Sequence, residues 1–114
     1  MSMATDVVDA QIEAYRARDI ERFLSHYADD ASVVLFDGTP MSADKQTMRQ
    51  QYGKLFADGP DLRLTIANRM SAGEFVLDEE HVSGFHFGNM PTEMTALGVY
   101  RVTDGKISKL MLLF

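Results

Sequence analysis

The order in which helical and strand spacings of apolar residues follow one another along this chain dictates what it can fold into. Residues 7–38 read as helix, short helix, acidic turn and strand; one more helix follows, and beyond it only strands remain. Each helix offers one apolar stripe and the sheet offers one apolar face. Helices gathered at the front must therefore pack on one face of an antiparallel sheet, which predicts the α+β class.

Thr5 or Asp6 is placed to cap a first helix with the inward stripe Val8, Ile12 and Tyr15, ending near Arg18. Asp19 restarts the chain as the cap of a short second helix, in which Ile20, Phe23, Leu24 and Tyr27 share a face and Ala28, Asp29 and Asp30 close the element. The run 32–36 is a first strand, stopped by the turn residues Asp37, Gly38, Thr39 and Pro40. Ser42 or Asp44 starts a third helix that buries Met48, Tyr52, Leu55 and Phe56 and ends at Asp58, Gly59 and Pro60. The period then becomes two: Leu62, Leu64 and Ile66 alternate with Arg63, Thr65 and Ala67. A turn at Ser71, Ala72 and Gly73 leads into a long strand from 74 toward 87, and residues 88–91 connect it to a strand over 93–103. Asp104 and Gly105 are a two-residue hairpin signal before the last strand, 106–114.

At 114 residues and 46% apolar, the chain can bury a core without staples, so a single domain over 1–114 is expected. It has no cysteine, which removes disulfides, thiolate metal sites and a cysteine nucleophile and fits a cytoplasmic setting. The start lacks a basic segment followed by an apolar run, and no stretch is long enough to span a bilayer, so neither secretion nor membrane insertion is expected. A formal charge of −6 repels nucleic-acid phosphates and anionic lipids, and the interspersed charges read as a solubilising surface. In the last strand, Leu110 to Phe114 is unbroken apolar while successive side chains point to opposite faces. If Leu110, Leu112 and Phe114 face the helices, Met111 and Leu113 face outward. A homodimer packed through the outer sheet face would cover them.

The segment 15–33, YRARDIERFLSHYADDASV, closely resembles the opening of the nuclear transport factor two-like superfamily, which includes SnoaL-like polyketide cyclases, ketosteroid isomerases and limonene-epoxide hydrolases. The helix before Asp58, Gly59 and Pro60, the strand ending Val82, Ser83 and Gly84, and the segment 98–107, GVYRVTDGKI, agree in order and length. This resemblance implies a cone-shaped curved antiparallel or mixed sheet closed by three N-terminal helices, a cystatin-like α+β roll around an apolar pocket, usually dimeric. It does not carry over the ketosteroid isomerase chemistry. The positions that should hold the aspartate base, the tyrosine and the protonated aspartate read Leu35, Gln11 and Gly98; this catalytic set is a standard worked case of pKa tuning. No convincing match to the aspartate-arginine-aspartate set of the epoxide hydrolases is present either.

Asp78, Glu79, Glu80 and His81 form the richest ionisable cluster, and alternation puts Asp78, Glu80 and Val82 on one strand face. The resemblance favours that face as pocket-lining, where lost hydration would raise a carboxyl pKa and suit it to general acid-base work. Such a run equally marks a solvated strand with surface ion pairs. Glu80, then Asp78, are the catalytic candidates, with Tyr100 as a hydrogen-bond donor to the ligand. Tyr15, Leu35, Met48, Tyr52, Val82, Gly98, Leu110, Leu112 and Phe114 are the expected pocket residues. Tyr15 and Tyr52 read first as core residues with hydroxyls reaching the rim, and Gly98 as a widened cavity or a bend in the sheet. His81 with Glu79, and His86 nearby, lack a third ligand at a diagnostic spacing, so no metal is expected and a dimer-interface hydrogen bond is the better reading. His26 is read as exposed or capping. No nucleotide fingerprint is present, so no cofactor is expected.

These features point to a SnoaL-like protein that binds a small apolar molecule, a cofactor-independent isomerase, cyclase or lyase on an apolar cyclic substrate. The alternative is a non-catalytic dimeric ligand-binding or protein-interaction module.

Overall fold

The computed structural model describes residues 3–85 and 92–114. Helices α1 (Met3–Arg16) and α2 (Ile20–Ser25) come first, then strands β1 (Tyr27–Leu35) and β2 (Pro40–Ser42), helix α3 (Lys45–Asp58), and strands β3 (Arg63–Ala72), β4 (Phe75–Ser83), β5 (Glu93–Thr103) and β6 (Lys106–Leu113). The strands form one mixed, curved and unclosed sheet in the order β2-β1-β6-β5-β4-β3, in which only β1 and β6 run parallel. This is the expected α+β architecture.

The α1 stripe Val8, Ile12 and Tyr15 is buried against the sheet, at spacings of four and three that keep one helix face inward. Five rings, from Tyr15, Phe23, Tyr27, Tyr52 and Phe56, pack between the helices and the sheet with centroids 4.9–6.4 Å apart. Asp19 caps α2 by accepting the Arg22 N–H at 3.1 Å, and Asp44 caps α3 by accepting the Thr47 N–H at 2.8 Å. Asp104 (φ 54) and Gly105 (φ 78) both adopt the left-handed conformation that a tight hairpin between β5 and β6 demands.

Several boundaries differ from expectation. Helix α1 already includes Met3, so Thr5 and Asp6 lie within the helix rather than ahead of it. It stops at Arg16, because Arg18 turns to φ 54 and the Asp19 N–H closes back on the Ala14 carbonyl at 3.0 Å. His26 is the C-cap of α2, and Tyr27 opens β1 rather than closing that helix. Tyr27 pairs with Ile107, and the register slips before Ser32, so Asp29 and Asp30 lie exposed in an irregular stretch of strand. Residues 40–42, expected as turn and helix start, form the short edge strand β2. Ser42 pairs there with Val33, leaving Asp44 as the cap. Strand β4 ends at Ser83 rather than running toward Phe87: Gly84 turns to φ 78 and Phe85 is not strand, while His86 and Phe87 lie outside the described residues.

One irregularity positions the site. Between β3 and β4, Ile66 pairs with Glu80 but Asn68 pairs with Glu79, so Ala67 is an extra, unpaired residue. Regular alternation would put residue 68 beside Asp78 and send Arg69 to the outer face. The bulge shifts the parity by one, and Arg69 pairs with Asp78 on the inner face instead.

Candidate functional site

The helices and the inner sheet face enclose a cavity of about 490 Å³, within the range of small-molecule sites. Its walls are mainly apolar and aromatic. Tyr15 of α1, Phe23 of α2 and Tyr52 of α3 face Val82 of β4, Leu110 and Leu112 of β6. Polar side chains are buried among them: Gln11 is 2% exposed, Tyr100 3% and Glu80 5%. The mouth is wetter. Met41 and Phe114 are exposed there, and Lys54 lines it while donating to Asp58 Oδ2 at 2.7 Å.

The deep polar groups form one directed chain. The Tyr27 hydroxyl donates to Gln11 Oε1 at 3.1 Å, Gln11 Nε2 donates to the Tyr100 hydroxyl at 3.4 Å, and that hydroxyl donates to Glu80 Oε2 at 2.7 Å. Each donor is thereby committed toward Glu80. Tyr100, expected to donate to a ligand, instead spends its proton on the carboxylate. Glu80 Oε1 accepts no hydrogen bond from the other described residues, and the hydroxyls of Tyr15 and Tyr52 donate to none of them.

Burial pushes the Glu80 carboxyl up to about 7. The Tyr100 hydrogen bond opposes that rise, the neighbouring Asp78 charge adds to it, and Arg69 pulls slightly the other way. Burial also raises Tyr15, Tyr27, Tyr52 and Tyr100, with the charge of Glu80 contributing to each, so all four phenols stay protonated. Among these groups Glu80 is the one whose raised value, about 7, lets it take up or release a proton near neutral pH.

Asp78, the second carboxylate on the same strand face, does not line the cavity. It is fully buried, and Arg69 grips it with two bonds, Nε to Oδ1 at 2.6 Å and Nη2 to Oδ2 at 3.0 Å. Arg69 Nη1 also donates to Asp9 Oδ1 of α1 at 2.6 Å, tying helix to sheet. Held by a guanidinium on both oxygens and turned away from the cavity, this carboxylate is not placed to take a ligand proton.

Of the remaining expected pocket residues, Tyr15, Tyr52, Val82, Leu110, Leu112 and Phe114 line the cavity together with Glu80 and Tyr100, whereas Leu35, Met48 and Gly98 do not. Leu35 ends β1 in the bond from its N–H to the Thr39 carbonyl, Met48 is sealed in the core, and the space over Gly98 holds the Glu80 carboxyl. Gln11 and Tyr27 were missed as pocket residues. The signal was there for Gln11, a polar residue set among Val8, Ile12 and Tyr15 on an apolar stripe. None existed for Arg69, because no alternation pattern reveals a bulge.

On the outer face, His81 lies 3.6 Å from Glu79 Oε2 and 3.4 Å from Thr95 Oγ1, both long contacts. Among the described residues no group of three or more His, Asp or Glu side chains is arranged to hold a metal ion, and no helix is long and apolar enough to cross a membrane.

The model of the SnoaL-like domain family matches residues 8–110. An uncharacterized cystatin-fold protein from Novosphingobium aromaticivorans is 25% identical and superposes with a TM-score of 0.87, over 100% of this chain and 99% of that one. An LEH-like epoxide hydrolase from M. tuberculosis is 18% identical with a TM-score of 0.80, over 98% and 82% of the two chains. TerC, crystallised with polyporic acid, is 17% identical with a TM-score of 0.80, over 99% and 92%. No curated protein matches the sequence.

Proposed function

Because the chain belongs to the SnoaL-like domain family of the nuclear transport factor two-like superfamily, we propose that residues 1–114 form one small-molecule-binding domain that takes an apolar cyclic substrate and acts as a cofactor-independent isomerase, cyclase or lyase. Glu80 is the group that moves a proton to or from the substrate. Tyr100 holds Glu80, and the hydroxyls of Tyr15 and Tyr52 are the donors left for a substrate oxygen. Asp78 serves at one remove, by anchoring Arg69 behind the site.

The observation that carries this reading is a buried carboxyl in a mainly apolar cavity, with Oε2 on the Tyr100 hydroxyl and Oε1 accepting no hydrogen bond from the other described residues; burial pushes it up to about 7. A base works best when its pKa lies near the working pH. The fold neighbours add general support: one is an LEH-like epoxide hydrolase, and another was crystallised with polyporic acid.

A thermal-shift screen with uncharged polycyclic and terpenoid ketones tests it, since a ligand bound only by the folded form raises the melting temperature. At least one uncharged ketone is expected to stabilise the protein, and its carboxylated analogue to fail above pH 7. The reason is that the deep end has no cation among the described residues: Arg69 is committed to Asp78 and Asp9, and Lys54 sits at the mouth. Preferential binding of carboxylates would contradict the assignment.

A second reading, a dimeric ligand-binding or protein-interaction module without turnover, is favoured by the outer sheet face. There Met70, Leu77, Val99 and Met111 stand in register across four strands, beside Val34 of β1, with Leu97 and Leu113 in the adjacent row. Met70 is 70% exposed. A continuous apolar band of this kind is what a second copy would cover. Sedimentation is expected to give a dimer, and Met111→Lys a monomer with its cavity intact; a monomeric wild type would contradict the homodimer. The absence of cysteine supports a cytoplasmic setting for either reading.

A further inference from the structure

Glycine inside a strand gives up side-chain packing, so its presence asks for a local reason. At Gly98 the usual reasons are missing. Its backbone is not in the left-handed region, unlike that of Gly38, Gly73, Gly84 and Gly105, and it sits in regular pairing with Asp78 on one side and Leu112 on the other. What lies above it is the Glu80 side chain. A Cβ built on Gly98 would stand 3.3 Å from each of Cδ, Oε1 and Oε2 of Glu80, and these are its three nearest neighbours. Equal distances to all three atoms mean that the flat of the carboxylate lies across the bare backbone. The register explains how it gets there: Glu80 pairs with Ala96, so its side chain leans along β5 over residue 98 toward the hydroxyl of Tyr100.

We propose that Gly98 is a positioning residue, whose missing side chain forms the seat on which the Glu80 carboxylate lies with Oε2 on the Tyr100 hydroxyl and Oε1 turned to the ligand. Its functional consequence rests on the reading of Glu80 as the proton-transfer group, while the seating itself does not. A methyl group at residue 98 is too close to the carboxylate by a few tenths of an ångström, and the yielding partner is the end of a flexible side chain rather than backbone. The carboxylate would shift and its bond from Tyr100 would stretch. The other titratable groups around Glu80 are Asp78 on its own strand, Arg69 of β3, Tyr15 of α1, Tyr27 of β1 and Tyr52 of α3. Asp78 pairs with Gly98 through its backbone, but no atom of these groups lies nearer than the Glu80 carboxyl to the space a Cβ at residue 98 would fill.

The test is a carboxyl ¹³C NMR titration of Glu80 in Gly98→Ala, which needs no substrate. Losing the stabilising hydroxyl should raise the midpoint by about 0.5 pH units or more over wild type. The same glycine substitution in a Glu80→Asp background, where the side chain is one methylene shorter and no longer reaches over residue 98, should leave the midpoint at residue 80 where Glu80→Asp alone puts it. An unchanged or lowered midpoint in Gly98→Ala, or an equal shift in both backgrounds, overturns the proposal. If Gly98→Ala fails to fold while the double variant folds, the carboxylate is the obstacle and the proposal stands; if neither folds, the backbone is the obstacle and it falls. Failure of every ketone to bind wild type would remove the proton-transfer reading and leave these outcomes just as decisive.

Discussion

Glu80→Gln is expected to lose about 10²- to 10⁴-fold of turnover on any substrate the ketone screen yields, while becoming more stable than wild type above pH 7. Both effects have one cause. Folding moves the Glu80 carboxyl from 4.5 to about 7, chiefly through burial, so the native state binds this proton more tightly than the unfolded chain does. Between pH 4.5 and 7 the native protein therefore holds more protons, and its stability falls as the pH rises through that window. Below about 4.5 the group is protonated in both states and costs nothing. Above about 7 the loss is complete and is on the order of 3 kcal/mol, since Glu80 is 5% exposed and little screened by water. Glutamine keeps an acceptor for the Tyr100 hydroxyl but carries no charge, so it escapes the penalty. Urea denaturation should give nearly equal stabilities at pH 4.5 and a clear advantage for the variant at pH 8. Equal stabilities at both values would mean that Glu80 ionises as easily inside the protein as outside it.

Arg69→Met should destabilise the protein by about 3–5 kcal/mol, because it leaves Asp78 fully buried with neither oxygen satisfied. For a chain of this length the melting temperature should fall by roughly 4 °C for each kcal/mol. Removing the charge at the other end as well, in Arg69→Met with Asp78→Asn, should recover much of the loss, since a buried pair is worth far less than the penalty for breaking it. Asp9→Ala should cost under about 1 kcal/mol, because Asp9 is a solvent-exposed partner of the same guanidinium. The single Arg69 variant should also move the Glu80 midpoint further up, because Arg69 is one of the groups that hold it down. A loss below about 1 kcal/mol in thermal or urea unfolding of Arg69→Met would show that water reaches Asp78.

What was legible in the sequence were the features fixed by local period. The stripe Val8, Ile12 and Tyr15, the alternation of Asp78, Glu80 and Val82, and the Asp104–Gly105 turn each follow from a few neighbouring residues, and the observed elements match them. What was illegible depends on contacts between distant segments. Tyr27 fits a helical stripe with Ile20, Phe23 and Leu24, and only its pairing with Ile107 makes it strand. Ser42 is a good cap by composition, but edge pairing with Val33 takes it into β2. Asp78 and Glu80 look alike in sequence, and a one-residue bulge at Ala67 separates them, bringing a guanidinium to the first and leaving the second without one. Gly98 was readable as a widened cavity or a bend, yet the neighbouring strand fills its space.

Burial in a mainly apolar chamber lets Glu80 hold its proton until near neutrality. The most direct measurement is a ¹³C titration of the wild-type glutamate carboxyls, with the Glu80 resonance assigned by its loss in Glu80→Gln. A midpoint of about 7 is the predicted result. A midpoint close to 4.5, the value of an ordinary exposed glutamate, would contradict the account.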